Sequence, residues 1–171
     1  MNNFDLDALE ENLRLASLKT IKNILSIVPE SDVCGFALYS DIDIESLAPA
    51  FNTKKHLQAM QIEDPDDSLY YKWSPAEWSH EFFGAEYFGD ISREIISLGE
   101  NLKGDEYNAF KLSIPEICVR VLNKLRINHF SNAIFIFSVT DFRDLETECA
   151  WIKSINNKHE STEFELWLKS I

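Results

Sequence analysis

The sequence predicts an α+β fold, a single domain over residues 1–171 with a mostly antiparallel sheet and helices packed around it. Three observations predict this class. Stretches with helical apolar spacing alternate along the chain with short apolar runs of strand-forming residues. The chain is 45% hydrophobic with only five glycines and five prolines, which excludes a disordered or fibrous protein. A length of 171 residues suits one domain with a sizeable core.

Several stretches have the apolar spacing of amphipathic helices, and they cover residues 5–28, 90–102, 106–126 and 144–155. Pro29 follows the first helix and ends it. Pro115 falls inside the third, so that helix either kinks there or begins afresh at Ser113. Residues 164–168 form either a last helix or an edge strand.

Two short apolar runs rich in strand formers, residues 33–40 and 133–139, predict buried strands. The later run is continuously apolar, so we expect it at the centre of the sheet. Residues 46–51 are predicted to pair with the first strand as a hairpin, after which Thr53 caps a short helix. Residues 69–73 are predicted to form a further strand.

The clearest local signal is the segment 74–77, Ser-Pro-Ala-Glu. Serine at the N-cap, proline at the first helical position and glutamate at the third match a capping box, which predicts a short helix from Pro75. On that helix Glu77 and Glu81 would share a face, with His80 beside them. Paired carboxylates can bind a metal or transfer protons, although the capping role already explains Glu77.

Other features bear on compartment and chemistry. Three widely spaced cysteines imply no disulfide framework. The first residues lack the basic and apolar regions of a secretory signal, and no apolar run is long enough to span a membrane. We therefore expect a cytoplasmic protein that does not bind membranes. Phosphate-binding glycine loops, dinucleotide fingerprints and nucleophile motifs are absent from the sequence, so we expect neither a cofactor nor an enzyme.

The acidic charge is concentrated in one section of the chain. The whole chain has 29 acidic and 16 basic side chains, a formal charge of −13, which argues against nucleic acid as a partner. Residues 30–100 hold fifteen acids and four bases, so this section alone carries −11. It is also rich in aromatic residues, which supply much of the binding energy at interfaces. Two interpretations stay open, a solubilising surface or a docking face for a basic partner.

Three segments carry a family resemblance. They are residues 35–39 (Gly-Phe-Ala-Leu-Tyr), residues 71–78 (Tyr-Lys-Trp-Ser-Pro-Ala-Glu-Trp) and residues 134–141 (Ile-Phe-Ile-Phe-Ser-Val-Thr-Asp). In their order and separation they resemble the bacterial domain-of-unknown-function 4303 family. That family brings no catalytic residues and no established enzymatic activity. The resemblance implies an immunity protein of a bacterial polymorphic toxin system.

The leading hypothesis is a cytoplasmic immunity protein that binds and blocks a cognate toxin domain, with a basic nuclease as the expected class of partner. The acidic and aromatic side chains predicted to contact the toxin are Asp64, Asp66, Asp67, Tyr70, Trp73, Glu77, Trp78 and Glu81. Two alternatives stay open. One is a metal-binding protein or enzyme that uses Glu77, His80 and Glu81, and the other is an interaction scaffold without a toxin partner.

Overall fold

The apolar strands assemble into one mixed sheet with the order β3-β2-β1-β4. Strand β1 (Val33–Ser40) pairs antiparallel with β2 (Leu47–Thr53), and β2 pairs antiparallel with the two-residue β3 (His80–Glu81). Strand β4 (Ile134–Val139) pairs parallel with β1. The computed structural model describes residues 6–130 and 132–171. It confirms the predicted α+β class and the predicted β1–β2 hairpin.

Seven helices in the described residues surround the sheet, namely α1 (Asp7–Ile27), α2 (Lys54–Glu63), α3 (Ser68–Trp73), α4 (Gly89–Gly99), α5 (Asp105–Asn128), α6 (Leu145–Ile155) and α7 (Lys158–Leu168). The predicted start of the first helix, residue 5, lies outside the described residues. Thr53 caps α2 as predicted, because its hydroxyl accepts the N–H of His56 at 3.3 Å.

The structure answers two questions that the sequence left open, at Pro115 and at residues 164–168. Helix α5 runs through Pro115 without a break, although proline removes one backbone hydrogen bond from a helix. Its buried residues on both sides of the proline pack into one apolar cluster, which holds the two halves together. The C-terminal segment is helix α7, and Asn157 with Glu160 forms its capping box.

The prediction of a strand over residues 69–73 is wrong, because these residues belong to α3. Leu69 and Trp73 are four residues apart, so in a helix they lie on one face. Both pack into the same apolar cluster, where the ring of Trp73 lies 5.1 Å from that of Phe164. Tertiary packing of this pair therefore overrides the strand propensity of the segment.

The late strand was predicted at the centre of the sheet, but β4 lies at an edge beside β1. Its continuous apolar character has another cause, since both of its faces are covered and five of its six residues are buried. The side-chain amide of Asn156 covers its outer edge. That amide accepts the N–H of Phe135 at 2.9 Å and donates to its carbonyl at 2.6 Å, as a neighbouring strand would.

The predicted helix from Pro75 does not form. Residues Pro75–Glu77 make a single 3₁₀ turn, and Ser74 makes no side-chain capping bond. The chain leaves the turn because Trp78 is drawn into the core, where its Nε1–H donates to the carbonyl of Lys72 at 3.2 Å. Glu77 and Glu81 consequently lie on a turn and a strand rather than on one helix face.

The sheet separates two apolar clusters. On one face, bulky side chains such as Phe36 and Phe135 pack against α1, α4 and α5. On the other face the central strands carry small residues such as Ala37 and Ala50, which leave room for large rings from the covering elements. Those rings include Trp73, Trp78 and Phe164.

A methyl group at Gly35 should destabilise the fold. A Cβ atom there would lie 2.8 Å from Cη2 of Trp78, too close for a packed ring that cannot retreat. We expect Gly35→Ala to lower the free energy of unfolding by about 1–3 kcal/mol, the usual cost of overpacking. Urea denaturation checks this against Gly89→Ala, where the nearest atom is 3.7 Å away. Equal stabilities of the two variants would contradict the packing described.

Candidate functional site

Helices α2 and α3 and the turn after α3 gather carboxylates around two tyrosines. The hydroxyl of Tyr70 donates to Oε1 of Glu77 at 2.8 Å. The rings of Tyr70 and Tyr71 meet edge to face, with centroids 5.6 Å apart. We call the set formed by Glu63, Asp64, Asp67, Tyr70, Tyr71 and Glu77 the acidic tyrosine cluster.

The pKa values of the two phenols record the negative field of this cluster. The hydrogen bond to Glu77 raises the pKa of Tyr70, and burial adds to the effect. Burial raises the pKa of Tyr71, and the charges of the surrounding carboxylates raise it further. The carboxylates that act on Tyr71 are Asp64, Glu77, Asp67 and Glu63.

No lysine or arginine among the described residues forms an ion pair with a carboxylate of the acidic tyrosine cluster. The basic residue of α3, Lys72, instead pairs with Glu163 of α7 and lies 5.3 Å from the ring centre of Trp73. Within residues 6–130 and 132–171, the negative charge of the cluster therefore has no ion-pair partner, and Glu63 and Asp67 are exposed to solvent.

The structure brings several of the predicted contact residues together. Asp64, Asp67, Tyr70 and Glu77 all belong to the cluster, and Asp66 is exposed in the turn between α2 and α3. Tyr70 is 39% exposed, so its ring is available at the surface.

Glu81 lies apart from the cluster. It is exposed on β3, where its carboxylate accepts the hydroxyl of Tyr39 at 3.2 Å. This bond links β3 to a residue near the end of β1, on the other side of β2.

The two tryptophans predicted to contact a partner are core residues. Trp73 is 2% exposed and Trp78 is 5% exposed. The Nε1–H of Trp73 donates to Glu163 at 3.0 Å, so the indole is satisfied within the chain. Their rings anchor α3 and the following turn on the sheet, and they thereby position the exposed Tyr70 rather than forming the surface themselves.

Glu77, His80 and Glu81 do not converge on one site. Glu77 bonds to α3, Glu81 bonds to β1, and the imidazole of His80 stacks on Phe51 with ring centres 4.1 Å apart. Burial lowers the pKa of His80, and the nearby His56 lowers it further. Within the described ranges, no group of three or more His, Cys, Asp or Glu side chains could hold a metal ion.

A groove of about 430 Å³ lies beside the cluster, at the carboxyl ends of the parallel strands β1 and β4. Tyr39 and Ser138 are paired in the strand register and are only partly buried, whereas the pair Ala37 and Ile136, two residues earlier on the same face, is buried. The helical layer over the sheet thus stops short of the strand ends. Crevices at the carboxyl ends of parallel strands are common ligand sites.

Sequence reasoning missed this groove, since it depends on parallel pairing between two distant strands. The one available signal was Asp141, an acidic residue two positions after the end of an apolar strand. Asp141 has a φ of 58° and lies on the groove, and Phe82, which follows the lining residue Glu81, also has a φ of 58°. The ring of Phe82 is 57% exposed and lies 5.5 Å from that of Tyr39.

The model of one protein family, described as a domain of unknown function (DUF4303), matches residues 13–157. The chain belongs to the DUF4303 family. The matched DUF4303 region contains the acidic tyrosine cluster and all four strands, while helix α7 follows it. No curated protein and no solved structure matches the chain significantly. In the part of this DUF4303 protein that the structure describes, no helix has the length and apolarity needed to cross a membrane.

Proposed function

We propose that this DUF4303 protein is a binding protein that docks a basic protein partner on its acidic tyrosine cluster. The observation that carries the proposal is the charge that the chain leaves unpaired there. Four carboxylates act on Tyr71, and no base in the described residues pairs with any of them. Tyrosines beside unpaired charge suit an interface, because the rings supply affinity and the charge supplies steering.

Some acids outside the cluster are paired with bases, in contrast to the carboxylates of the acidic tyrosine cluster. Glu10 pairs with both Arg120 and Lys124, and Arg126 pairs with Glu160. Acids that fasten helices together are thus matched with bases inside the chain. An acidic group that the fold leaves unmatched gains most from a cation supplied by another molecule.

The specific form of the proposal is a cytoplasmic immunity protein whose partner is a toxin domain. A basic nuclease is the favoured class, since clustered carboxylates can occupy a surface built to attract phosphates. Neutralisation would be stoichiometric and would need no catalytic residue in this chain. The family resemblance motivates this form, and the unpaired carboxylates of the acidic tyrosine cluster support a basic partner.

The experiment first asks whether a toxin domain is encoded next to this gene, then co-expresses that domain with this chain and applies calorimetry to the purified pair. We expect protection of growth, a one-to-one complex, and an affinity that falls steeply as salt rises. Absence of both a complex and protection would overturn the immunity form. A complex whose affinity is insensitive to salt would overturn the role of the cluster.

A further inference from the structure

The groove at the ends of β1 and β4 has apolar walls of aromatic and aliphatic side chains. Tyr39 and Ile136 contribute from the strands, and Trp167 and Leu168 contribute from α7. Trp167 is itself held by Phe164, with ring centres 5.6 Å apart. A groove of about 430 Å³ falls in the size range of sites that bury small ligands or single anchoring side chains with their neighbours.

The charged groups on this groove are mainly acidic. Glu81, Asp141 and Glu148 line it, and Arg143 is the one base among its lining residues. Glu148 is only partly exposed, and burial raises the pKa of its carboxyl group. A cation entering the groove would therefore meet carboxylates among its lining residues, and it would add to the stabilisation that Arg143 already gives the ionised Glu148.

The groove is continuous with the acidic tyrosine cluster through one residue. The ring of Tyr70 lines the groove, while its hydroxyl bonds to Glu77 of the cluster. A partner that docks on the cluster therefore lies beside the mouth of the groove.

We propose that the groove binds an arginine side chain, with an apolar residue on each side of it, projected by the basic partner. The proposal rests on the proposed function for the source of that segment. Arginine fits better than lysine because its planar guanidinium stacks on aromatic faces and donates two parallel hydrogen bonds to a carboxylate. The apolar walls suit the flanking residues, and charge complementarity excludes an acidic segment.

The test needs no toxin. Methyl and indole NMR signals of the full chain are followed during titration with the peptide acetyl-Leu-Arg-Leu-amide, and the control peptide carries glutamine in place of arginine. We expect saturable shifts at Ile136, Leu168 and the indole of Trp167, at concentrations at least about tenfold lower than for the control. Equal responses to the two peptides, or arginine-peptide shifts that avoid these three residues, would overturn the proposal.

A variant pair assigns the binding to the groove. The double variant Glu81→Gln, Asp141→Asn removes two carboxylates while keeping similar shapes, and asparagine tolerates the positive φ at position 141. We expect the double variant to bind the arginine peptide with an affinity at least about fivefold lower. Its backbone spectrum and unfolding midpoint report whether the fold is intact, and unchanged peptide affinity in a folded variant would overturn the site.

A second comparison separates this inference from the proposed function. The variant Asp64→Lys, Asp67→Lys, Glu77→Lys reverses three of the four carboxylates of the acidic tyrosine cluster, and the groove should still bind the arginine peptide within about threefold. Groove binding without any toxin complex would reject the immunity form alone. A toxin complex that is indifferent to Glu81→Gln, Asp141→Asn would reject the groove alone. Arginine amide that binds as tightly as the tripeptide would point to a small-molecule occupant and would also overturn the proposal.

Discussion

Replacing Trp73 with alanine should lower the free energy of unfolding by about 3–5 kcal/mol, the usual cost of truncating a buried aromatic ring. The indole is 2% exposed, packs on Phe164 and donates its N–H to Glu163. Alanine would leave a cavity between α3 and α7 and one unmade hydrogen bond. Urea denaturation followed by circular dichroism measures the loss.

Two companion variants show which property of Trp73 matters. Trp73→Phe keeps a ring but loses the hydrogen bond, so we expect a loss between those of the wild type and the alanine variant. Tyr70 lies on the same helix but is 39% exposed. Tyr70→Ala should therefore change the free energy of unfolding by about 1 kcal/mol or less. A Trp73→Ala protein as stable as Tyr70→Ala would contradict the buried placement of the indole.

Replacing Arg126 with alanine should also lower the free energy of unfolding by about 3–5 kcal/mol. The substitution leaves the largely buried carboxylate of Glu160 without its cation. The side chains of Arg126 and Glu160 are both only 14% exposed, and one guanidinium nitrogen contacts both carboxylate oxygens at 3.0 and 2.7 Å. The guanidinium also donates to the carbonyls of Ala133 and Ile155 at 3.2 Å. It therefore ties α5 to the residue before β4, to α6 and to α7 at once.

Calorimetric and chemical unfolding of Arg126→Ala and Arg126→Lys measure this effect. Lysine keeps the charge but cannot make the same set of bonds, so its loss should be intermediate. Since α7 forms one wall of the groove, the alanine variant should also bind the arginine peptide more weakly, at temperatures where the protein is still folded. A stability loss below about 1 kcal/mol for Arg126→Ala would contradict the role of the pair.

Apolar periodicity made the helices and the first hairpin predictable, because those signals are local. It failed for residues 69–73, which are rich in strand formers, because Leu69 and Trp73 pack into the same apolar cluster. It also failed for the place of β4 in the sheet. A continuously apolar strand indicates that both faces are covered, and Asn156 shows that a side chain can cover an edge as well.

The candidate site was predictable only in part, for a similar reason. Asp64, Asp67, Tyr70 and Glu77 lie within fourteen residues of one another, so charge density along the chain already indicated that they share a surface. The burial of Trp73 and Trp78 was not predictable, because aromatic residues occur both in protein cores and at interfaces. The groove could not be predicted without knowing that β1 pairs with a strand about a hundred residues later in the chain.

The matched charge-reversal experiment tests the central claim, that the acidic tyrosine cluster binds a basic partner. One variant carries Asp64→Lys, Asp67→Lys and Glu77→Lys. Its control carries Asp43→Lys, Glu100→Lys and Glu116→Lys, which changes the net charge equally at exposed positions outside the cluster. Neither set is in the core, so both proteins should fold.

The measurement is the affinity of each variant for the toxin domain identified by the co-expression experiment, at low and at physiological salt. We expect the cluster variant to lose about 100-fold in affinity at low salt, about 2.7 kcal/mol, and the control to lose about threefold or less. Equal losses in the two variants would show that only net charge matters, and unchanged affinity in the cluster variant would show that the partner binds elsewhere. Either result would contradict the account.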